Sequence, residues 1–168
     1  MYLGQMDVNS IPKRMNLCLA DVGDAESITQ VVSAAFRVER FFIDRDRINP
    51  EKVRTMLHQG NFLLAKDVGR LIGCVYVEIR RERAYFGLLA VDPSRQKEGL
   101  GHRLIAAAED YGRAAGCQVM DIRVVNLREE LPPFYRRLGY QETGTEPFAA
   151  DAHPKQPCHF IIMSKPLR

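Results

Sequence analysis

This sequence predicts a mixed α/β domain: one central sheet, antiparallel in its N-terminal part and partly parallel later, flanked by about four helices. Three observations carry that prediction. Hydrophobic periods of both two and 3.6 residues recur along the whole chain instead of segregating into halves. Three strand-like runs between residues 61 and 91 are separated only by short turns, which makes an antiparallel meander. A helical stripe then joins Val91 to Gln118, a connection suited to one parallel crossover.

Met15–Ala20 reads as the first strand, followed by Asp21 and a turn. Asp24 is the N-cap expected for a helix over Ala25–Arg37, where Ile28, Val31, Val32, Ala35 and Phe36 fall at helical spacing. Residues 37–49 hold Arg37, Arg40, Arg45 and Arg47 among Phe41, Phe42 and Ile43, and read either as a helix extension or as a loop. Asn49 and Pro50 open a short helix through Val53, Met56 and Leu57, which Gly60 ends. Strands Asn61–Lys66, Leu71–Arg80 and Ala84–Val91 follow, and Asp92-Pro93-Ser94 closes the meander because proline cannot extend a ladder.

From Leu100 the period becomes 3.6, with Leu100, Leu104, Ile105, Ala108, Tyr111 and Ala115 on one stripe and Gly116 as the stop. The strand Gln118–Val125 places Met120, Ile122 and Val124 on one face and Asp121 and Arg123 on the other. Pro132-Pro133 opens a short helix, Phe134–Leu138, ended by Gly139. Two last strands, Tyr140–Gly144 and Pro157–Lys165, enclose a loop over residues 145–156.

The 168 residues match the usual size of one domain, and a composition 46% hydrophobic and 27% charged excludes disorder and fibrous repeats. The expected organisation is a single domain, 1–168, with residues 1–14 as a poorly ordered N-terminal segment. No apolar run approaches the ~20 residues of a membrane span, and no signal-peptide pattern is present, so a soluble, cytoplasmic protein without membrane partners is expected. A formal charge of +3 is too mild to indicate nucleic acid, though it favours a phosphate-bearing ligand. Cys18, Cys74, Cys117 and Cys158 are far apart, and those in strand-like runs read as buried free thiols of a reducing compartment. His58, His102, His153 and His159 form no HExxH spacing, and no metal site is expected.

The chemistry concentrates in residues 88–104, where an apolar strand runs into a Gly-bearing loop and then straight into a helix N-terminus. Gly99 and Gly101 let the backbone approach a ligand closely. The first N–H groups of the helix lack internal partners and the dipole adds positive charge, so the loop can cradle a phosphate. Arg95, Lys97 and Arg103 add charge. A Walker loop is excluded by the missing Gly-Lys-Ser/Thr, and a dinucleotide-binding loop by the missing third glycine. The plain alternative is a turn whose glycines merely cap a helix.

Gln96-Lys97-Glu98-Gly99-Leu100-Gly101 resembles the Gln/Arg-x-x-Gly-x-Gly/Ala loop of the GNAT superfamily of N-acetyltransferases. Phe134-Tyr135-Arg136-Arg137-Leu138-Gly139-Tyr140 resembles that superfamily's C-terminal Phe/Leu-Tyr-x-x-x-Gly-Phe/Tyr segment. The element order agrees, so the resemblance covers residues 15–166. It implies acetyl-CoA as donor and an amine of a small molecule or peptide as acceptor, and it is compatible with a homodimer. It further implies that Leu89, Ala90 and Val91 pair with the pantetheine arm as an added strand would. Gln96, Lys97, Glu98, Gly99, Leu100, Gly101 and His102 would hold the pyrophosphate, and Asn126 would lie against the cofactor. Two departures are visible: Asn126 stands further from Tyr135 than is common in the family, and Glu98 puts an acid in the loop.

Tyr135 is the expected catalytic residue. With a pKa near ~10 against ~8.5 for a free thiol, its hydroxyl stays protonated at neutral pH and can donate to the departing thiolate of coenzyme A. Phe134 and Leu138 supply the core stripe in this reading, with Tyr135 about 100° away. No base is singled out. Where some members carry a Glu before the loop this chain has Tyr85, and Glu78, Glu82, His159 or water remain open. His159, alone on an apolar strand, reads first as a core residue. A catalytically silent acyl-CoA sensor and a basic nucleic-acid-binding module are the competing readings. Acceptor specificity is expected to lie in residues 37–50 and 145–156.

Overall fold

A computed structural model describes residues 15–168, and the expected N-terminal segment 1–14 lies outside the described residues. Seven strands form one sheet: β1 (Met15–Leu19), β2 (Asn61–Asp67), β3 (Arg70–Arg80), β4 (Arg83–Val91), β5 (Val119–Val125), β6 (Gln141–Pro147) and β7 (His159–Pro166). Their spatial order is β1-β2-β3-β4-β5-β7-β6. All neighbours are antiparallel except β4 and β5, which run parallel. The antiparallel meander and the single parallel crossover are thus present as expected. Four helices accompany the sheet: α1 (Ala25–Ala35), α2 (Pro50–Met56), α3 (Leu100–Ala114) and α4 (Leu131–Arg137).

Strand alternation splits the core across the sheet. Leu63, Ala65, Val75 and Val77 face Leu100, Leu104, Ile105 and Ala108 of α3. Their neighbours Phe62, Leu64, Cys74 and Tyr76 face Ile28, Val31 and Val32 of α1 and Val53 of α2. Truncating one of the fully buried side chains, Leu104 for example, should cost about 2–5 kcal/mol. On β3, Gly73 lets α3 come close, since a Cβ there would lie 3.0 Å from Leu104 and 3.1 Å from the Ala90 carbonyl.

Local chemistry explains most boundaries. The Asn49 side chain accepts from Lys52 N–H at 2.8 Å, with Pro50 at the first helical position of α2. Asp24 stands at the N-cap of α1 but makes no side-chain cap bond. The capping belongs instead to Asp21, in a reciprocal box with Asp24 around a short 3-10 turn at Val22–Asp24. A second 3-10 helix, Phe36–Phe41, resolves the segment after α1 into a helical extension followed by a loop. β6 continues to Pro147 and so takes residues 145–147 out of the expected loop.

The cysteines are all free, yet only Cys74 and Cys117 are buried, and Cys18 is exposed. β1 is an edge strand, and α1 packs on β3 and β4 instead of covering it. Its apolar residues Leu17 and Leu19 are exposed for the same reason. Among the described residues no helix is long and apolar enough to cross a membrane.

Candidate active site

The site follows from one interruption in the sheet. β4 and β5 pair only at their start, Arg83–Tyr85 against Val119–Asp121, and diverge beyond it. The closed end is pinned by Arg83, which donates to both Asp121 oxygens at 2.6 Å. From Phe86 onward the β5-facing edge of β4 has no strand partner. Across β3, Cys74 pairs with Ala90 and Tyr76 with Gly87, so β4 carries one extra residue. Leu88 sits in that bulge at φ 50°, a left-handed conformation that costs a non-glycine residue about 1–2 kcal/mol. The expected cofactor strand, Leu89, Ala90 and Val91, therefore lies at an open sheet edge with its backbone re-aimed by a bulge.

The Gly-bearing loop leaves the end of β4. Lys97 (φ 72°) and Gly99 (φ 77°) are both left-handed, and α3 begins at Leu100 with no side chain capping its N-terminus. Side-chain atoms built at Gly99 or Gly101 would meet nothing within 4 Å. Packing therefore does not require these glycines, and the space over the first turn of α3 stays clear for a ligand. Glu98 is drawn onto Arg95, which donates to it at 2.7 Å and to Asp67 at 2.9 Å. That clamp answers the acid in the loop by holding its carboxylate on a guanidinium. Gln96 reaches the Val91 carbonyl at 3.4 Å, and the His102 ring stands edge-on to Phe134 at 5.3 Å.

Tyr135 on α4 reverses one expectation. Phe134 and Leu138 are only half-buried, whereas Tyr135 is 6% exposed and packs on Phe86, Phe134 and Tyr140 at centroid distances of 6.2, 5.0 and 5.7 Å. The short α4 turns Pro132 and Tyr135, one turn apart, towards the sheet. The hydroxyl is nevertheless free. It makes no hydrogen bond among the described residues, no buried polar side-chain atom is left unpaired there, and Tyr135 lines the cleft between β4 and β5. Burial pushes its pKa up to about 12, with a nearby Arg128 charge opposing. It remains a proton donor across the neutral range.

The cleft measures about 640 Å³ and is lined by Leu88, Leu89 and Tyr135 together with parts of 36–47 and 147–152. The two expected specificity segments thus border it, tied to each other where Lys155 N–H donates to the Phe42 carbonyl at 2.8 Å. Asn126 closes the end of β5, its Oδ1 accepting from His159 N–H at 2.8 Å. Of the base candidates, Glu78 and Tyr85 line the cleft and Glu82 and His159 do not. His159 is exposed at the start of β7, not in the core. Glu78 accepts from Arg80 at 2.8 Å and Tyr76 at 2.9 Å, and the Arg80 bond first, then the Tyr76 bond, holds its carboxyl below the usual range against the opposing effect of burial. The Tyr85 ring lies near the guanidiniums of Arg80 and Arg123, 4.5 and 5.8 Å from its centre. Glu39 and Arg47 lie in the first specificity segment, but nothing in the sequence marks them as cleft residues. Arg128 lines the cleft from outside both segments, following β5 in a stretch with no periodic signal. Among the described residues no cluster of His, Cys, Asp and Glu suits a metal ion.

A split parallel pair, a bulged open edge and an uncapped Gly-bearing helix start together define a mixed α/β domain with a cleft between two splayed strands. A family profile described as the Acetyltransferase (GNAT) domain matches residues 24–157. The chain belongs to the GNAT acetyltransferase family. Solved structures agree in fold. The ribosomal-protein-S18-alanine N-acetyltransferase of Escherichia coli superposes with a TM-score of 0.72 at 16% identity, over 91% of this chain and 94% of that one. YncA of Salmonella typhimurium, solved with its cofactor acetyl-CoA, gives 0.68 at 19% identity, over 92% and 95%. PaiA N-acetyltransferase of Thermoplasma acidophilum, in complex with coenzyme A, gives 0.73 at 17%, over 90% and 98%. A search of curated proteins found no sequence match.

Proposed function

We propose that this chain moves an acetyl group from acetyl-CoA to a primary amine of a small molecule or peptide, by direct attack within a ternary complex. One observation carries the reading: the unpaired edge of β4 leads directly to an uncapped helix start whose glycines face open space, with a free tyrosine hydroxyl in the adjoining cleft. The residues present fit acetyl-CoA. Leu89, Ala90 and Val91 would supply backbone groups to the pantetheine arm. N–H groups from Gln96 to His102 would receive the pyrophosphate, and Asn126 would border the arm from the β5 side.

Attack of the neutral amine forms the C–N bond and a tetrahedral adduct. As its C–S bond breaks, Tyr135 donates its hydroxyl proton to the sulfur, and the proton shed by the new amide nitrogen restores the hydroxyl through cleft water. Glu78, an anion at neutral pH, suits the incoming ammonium, whose proton leaves to cleft water before attack. No cysteine lines the cleft among the described residues, which supports direct attack over a thiol intermediate. Positioning contributes much of the rate in such a site. The free cysteines support a reducing, cytoplasmic setting. A mass-spectrometric screen of an amine library with acetyl-CoA tests the proposal, run beside a thermal-shift titration. Acetyl-CoA at a hundred times its Kd should stabilise the fold by about 2.7 kcal/mol. A flat titration together with no acetylated product would refute it.

A further inference from the structure

Glu39, on the 3-10 turn after α1, is 2% exposed, and a buried carboxylate persists only with partners. It has two. One oxygen accepts from Arg47 Nε at 2.7 Å and the other from an Arg128 terminal nitrogen at 3.1 Å. The two arginine side chains are only 20% and 16% exposed. Arg128 also holds Glu130, which is itself mostly in water. Two mostly buried guanidiniums thus share one buried carboxylate, and only the exposed Glu130, at the far side of Arg128, balances the second of them.

Each guanidinium has five N–H donors in a rigid fork. One terminal nitrogen of each, Nη1 of Arg47 and Nη2 of Arg128, has no hydrogen-bond partner among the described residues. Because no buried polar side-chain atom is left unpaired there, these nitrogens reach open space, and both residues line the cleft that holds Tyr135. The Arg47 guanidinium is further fixed over the rings of Phe36 and Phe148, at 5.4 and 5.8 Å. The cleft as a whole is biased towards positive charge. Six basic residues line it against three acidic ones. All three acids are already engaged: Glu39 here, Asp46 by Arg40 at 2.7 Å, and Glu78 by Arg80 at 2.8 Å.

We propose that the acceptor is a small amine bearing a carboxylate, which Arg47 and Arg128 bind while Glu39 positions them. The inference rests on the acetyl-transfer reading above and names its substrate class. Charge-assisted bonds from a pre-set guanidinium are among the stronger polar contacts available, and they recognise a planar carboxylate by shape as well as charge. A polyamine would instead bring like charge into a basic cleft. The carboxylate of such an acceptor suits the arginine pair, which leaves its amine free to meet the thioester.

Matched pairs test this with the wild-type protein: free amino acids, their carboxamides, and spermidine, each assayed with acetyl-CoA. Removing the carboxylate keeps the amine but takes the charged acceptor away from both guanidiniums, so kcat/KM should fall by about 100-fold or more from acid to amide. Arg47→Lys and Arg128→Lys keep the charge and lose the fork. Each should raise KM for the acid about tenfold or more and bring the acid-to-amide ratio towards one, with acetyl-CoA affinity retained. Glu39→Gln should lower that same ratio; a merely structural role would depress both substrates alike. The wild-type panel needs no variant to fold. Amides or spermidine used as well as the acids, or a ratio unmoved in the lysine variants, would overturn the proposal. A wild-type protein that neither binds nor consumes acetyl-CoA overturns the acetyl-transfer reading and this one with it. One that uses acetyl-CoA and ignores the carboxylate overturns this one alone.

Discussion

Two tyrosines five positions apart make the catalytic role proposed for Tyr135 separable from stability. The Tyr135 hydroxyl makes no bond within the described chain, and its ring does all the packing, so Tyr135→Phe removes no internal contact. Its effect on folding should stay within about 0.5 kcal/mol. If the hydroxyl protonates the leaving thiolate, kcat should fall by about 10²–10⁴, equivalent to roughly 2.7–5.5 kcal/mol of barrier. Affinity for acetyl-CoA should change little, because the hydrogen bond matters most once sulfur carries charge. Tyr140 is the opposite case. It is buried and donates to Glu109 at 3.0 Å, a carboxylate also held by Lys165 at 3.0 Å. Tyr140→Phe strips a bond to a buried charge, worth about 1.5–3 kcal/mol, and should lower Tm by roughly 3–12 °C. Its kcat should stay near wild type, since Tyr140 does not line the cleft. Steady-state kinetics with chemistry rate-limiting, beside thermal melts of both variants, reads the two effects independently. A Tyr135→Phe protein with wild-type kcat, or one whose lost activity simply tracks lost Tm, would refute the assignment.

Two further outcomes follow from named features. Gly101→Val projects a side chain into the clear space over α3 without meeting any neighbour, so Tm should hold within a few degrees while the Kd for coenzyme A, measured by calorimetry, rises at least tenfold. Tyr76, Tyr135 and Tyr140 all have raised pKa values, with burial the leading cause, against ~10 in the unfolded chain. Their contribution to stability is whole below pH 10 and is lost as pH rises beyond it, so denaturant midpoints should fall from pH 10 to 12, and less steeply in Tyr135→Phe.

Much of this architecture is legible in the sequence because local rules and packing agree. Pro50 behind Asn49, the period change at Leu100 and the alternation of Met120, Ile122 and Val124 each point to the element that forms. The Gly-bearing loop before α3 is legible for the same reason, since its glycines and its place before a helix are both local. What stays hidden depends on distant partners. Nothing local says that β4 and β5 diverge after Tyr85, so the bulge at Leu88 and the wedge it borders are invisible in one dimension. The inward face of α4 is not legible either, because the neighbours of Tyr135, Phe86 and Tyr140, are supplied by other segments. Glu39 looks like a surface acid until Arg128, far along the chain, arrives to bury it.

The split between β4 and β5 also has a mechanical meaning. Three rungs and the Arg83–Asp121 clasp join the strands β1–β4 to the strands β5–β7, all at one end. The sheet has the form of a clothes-peg, shut near Arg83 and without rungs near Leu89. Away from that end the two sides are laced by loops instead of rungs, Glu39 to Arg128 and Phe42 to Lys155, so whatever lies between the strands sits in a frame tied at its rim.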